Sequence, residues 1–260
     1  MHLKKKYGRI KEKKAQGNTD TAALERNFKM LLKGLQKLTL LDFPGKMAAT
    51  VFTGGCNFRC PFCHNASLVL GDRVRESESI DEKEFFAFLE KRKNILEGIC
   101  VSGGEPTLMP DLLSFLERIK SLGYLVKLDT NGTAPEVIRE GVRSGLIDYV
   151  AMDIKSSREG YGRAVGIDGY DTSLVEESAA LLMKGSVDFE FRTTLVRELH
   201  TEKEIIGIGE WIRGNERYFL QTFKDSGDLI SNSFSGYDEN ETSDLLNLLV
   251  PYLPNVKIRG

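Results

Sequence analysis

"GICVSGGEPTLMPDLLSFLERIKSLGYLVKLDTNG", residues 98–132, reads as a strand, a helix and a second strand. GICVS (98–102) and YLVKLD (124–129) are apolar nearly throughout, as strands covered on both faces are. Between them Leu112, Leu116 and Ile119 recur at helical spacing, with Pro110 suited to the first turn and Gly123 to the stop. A crossover of this length with its own helix makes the two strands parallel. The unit repeats outward in both directions. MAATVF (47–52), DYVAMD (148–153), DFEFRTTL (188–195) and RYFLQTF (217–223) supply four more strands. Asp81 and Glu84 predict a capping box before Phe85, Phe86, Phe88 and Leu89, and Thr201 and Glu204 another before Ile205, Ile208 and Ile212. Pro135 and Gly145 bracket a further helix, Gly185 ends one, and ETSDLLNLLVPYL (241–253) forms the last. Six strands with no room for eight predict an α/β fold of parallel strands, an open (β/α)6 partial TIM-type barrel, over residues 31–260.

Composition narrows the class. The chain has 260 residues, 41% hydrophobic and 28% charged, with a net charge of −2. Residues 1–33 carry ten Lys or Arg against three acids, a local +7 that leaves −9 for the rest. Residues 1–30 are therefore read as a basic, solvated extension. Without aromatic or Gly-rich interleaving they argue against a nucleic-acid partner. No apolar core of a signal peptide follows Lys4–Lys6 before Thr21, and no run of 18 apolar residues exists, which argues against a membrane partner. Four cysteines at uneven spacing in such a chain point to metal or redox chemistry in a reducing compartment, and so to the cytoplasm.

Three of those cysteines fall in GGCNFRCPFCHN (54–65), directly after the first strand of the repeat. Thiolates are the usual ligands of iron–sulfur clusters, which normally take four. Cys56, Cys60 and Cys63 leave one iron open. The alternative is a Cys3His zinc site completed by His64, although adjacent Cys63 and His64 make joint ligation awkward. Cys100 reads as a small buried hydrophobe within a strand. Later strands end in VSGGEP (101–106), LDTNG (128–132) and MDIK (152–155), which puts Gly103, Gly104, Glu105, Asp129, Asn131, Asp153 and Lys155 at the carboxyl end of the barrel. Each has a plainer reading as a turn, a cap or a rim ion pair. Arg192 and Gln221 are weaker candidates on later strands, and His200 reads as an exposed loop or cap residue.

CNFRCPFC resembles the C-x3-C-x-aromatic-C signature of the radical S-adenosylmethionine (SAM) enzymes, with Phe62 in the aromatic place. The resemblance implies a [4Fe–4S] cluster on Cys56, Cys60 and Cys63, whose open iron is chelated by S-adenosyl-L-methionine. It implies reductive cleavage of SAM to methionine and a 5′-deoxyadenosyl radical. Phe62, Gly103, Gly104, Glu105, Asp129, Asn131, Lys155 and Arg192 are then the expected cofactor-binding residues. LTLLDFPGKMAATVFTGGCNFRCPFCHN (38–65), with SGGEPTL, LDTNG, MDIK and FRTTLV in order, is similar to the glycyl-radical-enzyme activases. Among these it most resembles the activating proteins of anaerobic ribonucleoside-triphosphate reductases, and it is also similar to those of pyruvate formate-lyases. The implied partners are a glycyl radical enzyme, foremost an anaerobic ribonucleotide reductase, and a low-potential electron donor such as flavodoxin or ferredoxin. Glycyl radical enzymes share a C-terminal Arg-Val-x-Gly-Tyr motif. PNVKIRG (254–260) does not match it, and the target glycine is therefore expected on another protein. Two other functions stay open at this stage: a radical SAM enzyme acting on a small molecule, for example a deazapurine-forming one, and a zinc-stabilised binding module.

Overall fold

The computed structural model describes residues 30–185, 187–225 and 227–259. The basic arm lies outside the described residues, apart from Met30. All six expected strands are present: β2 (Ala48–Thr53), β3 (Gly98–Gly103), β4 (Leu125–Thr130), β5 (Tyr149–Asp153), β6 (Asp188–Leu195) and β7 (Tyr218–Thr222). Each pairs in parallel with the next. Two flanking strands were not expected. β1 (Leu32–Thr39) runs antiparallel to β2, and the three-residue β8 (Lys257–Arg259) adds in parallel to β7. The sheet order is β1 to β8 in sequence, and among the described residues no ladder joins β8 to β1. The barrel is therefore open.

The crossover helices are α1 (Ala66–Val69), α2 (Gly71–Glu76), α3 (Glu82–Arg92), α4 (Leu112–Ser121), α5 (Pro135–Arg143), α6 (Tyr161–Val165), α7 (Ser173–Lys184), α8 (Glu202–Trp211) and α9 (Glu239–Leu249). The capping box at Thr201 and Glu204 forms as expected, and α9 carries another at Asp238 and Glu241. At α3 the Asp81 carboxylate caps the helix by accepting from the Lys83 N–H at 2.7 Å. Apolar faces such as Phe85 and Leu89 of α3, or Leu112, Phe115, Leu116 and Ile119 of α4, are buried against the sheet. Burial of such a side chain contributes roughly 1.5–3 kcal/mol.

The amino-terminal end of the barrel is closed by an apolar plug. Phe43, from the loop between β1 and β2, packs with Ala48, Tyr149 and Ala151, its ring centroid 6.0 Å from that of Tyr149. A side chain at Gly98 would meet that ring at 2.8 Å. The opposite, carboxyl end is left for polar groups. No helix among the described residues is long and apolar enough to cross a membrane.

Candidate active site

The cysteine loop starts where β2 ends, and its entry is fixed by backbone against backbone. The Gly104 N–H donates to Thr53 O at 2.9 Å and the Glu105 N–H to Gly55 O at 2.8 Å. Gly103 sits at φ +119°, and a Cβ on Gly104 would lie 2.1 Å from Gly55 O. These glycines are required by the close approach of β3 to the cysteine loop itself. The rest of the loop is held from other sides. Phe58 is buried and set edge-on against Tyr161 and Tyr170, and the Arg59 N–H donates to Val165 O at 2.9 Å. The connection after β7 crosses to the same loop. There the Ser231 N–H reaches Pro61 O (2.9 Å), the Ile230 N–H reaches Cys63 O (3.3 Å) and Asp228 O accepts from the Ala66 N–H (3.1 Å).

All three loop thiols line a cavity of about 220 Å³ at the carboxyl end of the strands. Phe62, Gly103, Gly104, Asp129, Asn131, Lys155 and Arg192 share its wall, so ten of the residues singled out from sequence are brought together. Burial pushes the Cys60 thiol up to about 12, and desolvation raises Cys56 and Cys63 as well. Each thiol keeps its proton until a metal displaces it.

Alternating charges run across the strand ends. Buried Lys127, 1% exposed, pairs with Asp129. Arg192 bridges Asp129 (3.4 Å) and Asp153 (2.9 Å), and Lys155 completes the row at 2.9 Å from Asp153. Ser102 Oγ donates to Asp129 at 3.1 Å, and the Cys100 thiol lies 3.6 Å from the same carboxylate. Burial alone would raise both carboxyls. Arg192 and Lys155 at Asp153, and Lys127 and Arg192 at Asp129, outweigh it, so both are held below the ordinary carboxylate range. Lys127 and the polar surroundings of Cys100 were not assigned to the site from sequence, and Asp153 was named there only as a strand-end residue. The signal for Lys127 was its place in YLVKLD, two residues from Asp129 and thus on the same strand face.

Two residues sit differently from expectation. Glu105 is fully buried behind the cavity wall. Its carboxylate accepts from the Thr107 N–H (3.1 Å), Thr130 Oγ1 (2.8 Å), the Asn131 N–H (2.6 Å) and the Thr107 hydroxyl. It ties β3 to β4 and orients Asn131, whose side-chain amide donates to Asn57 at 2.9 Å and approaches Cys56 Sγ at 3.9 Å. His200, expected to be exposed, is fully buried. Its Nδ1 accepts from the Val196 N–H (2.9 Å), which leaves Nε2–H to donate to the Lys155 carbonyl at 2.7 Å. The ring stands edge-on to Phe62, with centroids 6.2 Å apart. His200 therefore braces two wall residues from behind.

The donor set fits an iron–sulfur cluster. Among the described residues no three His, Cys, Asp or Glu side chains gather around one point as a single ion requires. The three thiols instead line one cavity, and a polynuclear group takes one thiolate per iron. The rest of the wall offers paired carboxylates, cations and an amide, which suit a zwitterionic ligand beside the cluster.

The Radical SAM superfamily pattern matches residues 50–211. A Methanocaldococcus jannaschii protein that carries the provisional name glycyl-radical enzyme activating enzyme is 35% identical over 239 residues, 89% of this chain and 96% of that one. Shorter matches are to a provisionally named GTP 3′,8-cyclase of Thermococcus kodakarensis (28% identity; 50% of this chain, 42% of the relative) and to 7-carboxy-7-deazaguanine synthase of Koribacter versatilis (26%; 59% and 63%). Among solved structures, SuiB of Streptococcus suis aligns with a TM-score of 0.62 at 16% identity, covering 80% of this chain and 47% of SuiB. That likeness is one of fold.

Proposed function

Because the chain belongs to the radical SAM superfamily, we propose that it is an activase that generates a glycyl radical on a partner enzyme. The observation that carries this reading is the near full-length match to an activating enzyme, joined to a cavity in which the three thiols of the C-x3-C-x2-C loop meet the strand-end residues of β3 to β6. Family membership brings a [4Fe–4S] cluster and S-adenosylmethionine as cofactors. When bound, the reduced cluster supplies the electron that cleaves S-adenosylmethionine.

The chain's own residues set the stage for that chemistry. Cys56, Cys60 and Cys63 would hold three irons of the cluster and leave one without a protein ligand, open to the cofactor. Gly103 and Gly104 bring backbone to the cavity with no side chain in the way. Asn131, oriented by Glu105, and Lys155, braced by His200 through its carbonyl, would hold the polar ends of the cofactor. Arg192 keeps Asp129 and Asp153 ionised and fixed. Phe62 lends an apolar surface beside the thiols.

The partner we favour is an anaerobic ribonucleoside-triphosphate reductase, with flavodoxin or ferredoxin as the electron source, on the strength of the motif order over roughly residues 35–225. The competing reading, a radical SAM enzyme acting on a small molecule, has the shorter matches to the GTP cyclase and the deazaguanine synthase behind it. The test is anaerobic. Reduced protein and S-adenosylmethionine are mixed with a candidate reductase, and an EPR spectrum is recorded. A glycyl doublet on the reductase that is absent with Cys60→Ala supports the activase. Turnover of a small molecule with no glycyl signal supports its competitor.

A further inference from the structure

Asn57, Thr133 and Asn131 close a ring of side-chain hydrogen bonds between the cysteine loop and the end of β4. Asn131 Nδ2–H donates to Asn57 Oδ1 at 2.9 Å, Asn57 Nδ2–H to Thr133 Oγ1 at 3.0 Å, and the Thr133 hydroxyl to Asn131 Oδ1 at 2.8 Å. One further bond fixes the direction of the ring. The Thr133 backbone N–H, which can only donate, also reaches Asn131 Oδ1, at 3.1 Å. Turning either amide over would set N–H against N–H. Asn131, 5% exposed and on the cavity wall, therefore shows its N–H2 end to the cysteine loop, where it faces Cys56 Sγ at 3.9 Å. The Phe58 N–H reaches the same sulfur at 3.4 Å. The protonated thiol also lies 3.9 Å from Asn57 Oδ1, a contact that ends once a metal displaces the proton. Glu105 holds the Asn131 backbone N–H at 2.6 Å, so Asn131 is anchored through both backbone and side chain. Neither Asn57 nor Thr133 was singled out from sequence.

We propose that Asn57 and Thr133 are positioning residues, which aim the Asn131 N–H2 group at the Cys56 sulfur and so raise the reduction potential of the iron–sulfur cluster. The proposal rests on the cluster that superfamily membership brings, and not on the identity of the partner. A hydrogen-bond donor on a ligating sulfur favours the reduced state, which carries one more electron, over the oxidised one. An amide turned the other way would present its oxygen to that sulfur and do the opposite. Both orientations fill the same space, so packing alone does not choose between them. The ring does.

The experiment uses the full chain, reconstituted anaerobically with iron and sulfide, without S-adenosylmethionine or partner. Iron per chain is measured, and the cluster potential is read by EPR during redox titration with dithionite. Asn131→Leu removes the donor at nearly constant volume. It is expected to lower the potential by about 59 mV, a tenfold change in the reduced-to-oxidised ratio of a one-electron couple. Thr133→Val and Asn57→Leu leave Asn131 in place but open the ring, and each is expected to lower that ratio about threefold. Thr133→Ser keeps the hydroxyl and is expected to match the parent. The parent potential in any of the first three variants, at full iron, would overturn the proposal and leave the ring a clasp between two loops. An equal fall in Thr133→Val and Thr133→Ser would overturn it too, since the hydroxyl would not be the cause. If Asn131→Leu retains no iron, the Thr133 pair decides: a lower potential with Thr133→Val alone supports the proposal, and equal potentials overturn it. No partner takes part, so none of these outcomes touches the activase reading.

Discussion

Gly104 stands so close to Gly55 that a single added methyl would lie 2.1 Å from the Gly55 carbonyl oxygen. The second half of the site is thereby registered on the first. Gly104→Ala should push β3 away from the cysteine loop, lowering iron retained per chain at least twofold and Tm by several degrees. Gly55→Ala provides the contrast. Its φ of +92° is strained for alanine, but its Cβ meets nothing within 4 Å. It should cost about 1–2 kcal/mol of stability with less effect on iron. Iron analysis and thermal melts of the two variants check the ranking, and equal iron in both would remove the close contact from the account.

The four cysteines divide three to one. Cys56→Ala, Cys60→Ala and Cys63→Ala should each lose the visible iron–sulfur absorbance after anaerobic reconstitution. Cys100 lies below the cavity against Asp129 and Lys127, not on its wall. Cys100→Ala should keep full iron. Loss of iron in that variant, or stoichiometric zinc in the parent, would contradict the ligand set.

Asp153 holds both Arg192 and Lys155. Asp153→Asn leaves two partly buried cations with one carboxylate fewer and should destabilise the chain by about 3 kcal/mol. Adding Lys155→Met should restore part of that loss, which urea titrations of the single and double variants would read. The pH dependence has a definite sign. Asp153 and Asp129 are held below their ordinary range in the folded state, so their stabilising contribution is complete above the unfolded carboxylate pKa of about 3.9 and is lost as pH falls below it. Asp153→Asn should flatten that acid limb.

Several of the six central strands were legible as nearly continuous apolar runs bordered by glycine or proline, and DFEFRTTL by its β-branched and aromatic residues. β1 was not, since LKGLQKLT mixes lysines and a glycine and three of its eight residues are exposed. β8 was not, because three largely exposed residues carry no periodicity. The cysteine loop and the strand-end motifs could be read directly, as their residue types announce their chemistry. The direction of Glu105 could not. It is set by donors at Thr107, Thr130 and Asn131, two of them more than twenty residues away, so a motif that names the residue does not say which way its carboxylate faces. His200 misled for the same reason: its partners, Lys155 O and Phe62, are tertiary neighbours. Lys127 was hidden by its apolar strand, and only its pairing with Asp129 explains how a lysine is accommodated there.

The central claim is that hydrogen leaves a glycine Cα of a partner protein. The most direct measurement follows that atom. A candidate reductase is produced with glycine deuterated at Cα and incubated anaerobically with the reduced chain and unlabelled S-adenosylmethionine. The 5′-deoxyadenosine formed is then weighed by mass spectrometry. The account predicts 5′-deoxyadenosine one mass unit heavier, in step with the glycyl EPR signal and absent with Cys60→Ala. Unlabelled 5′-deoxyadenosine at full yield, from a reductase whose glycine is fully deuterated, would contradict it.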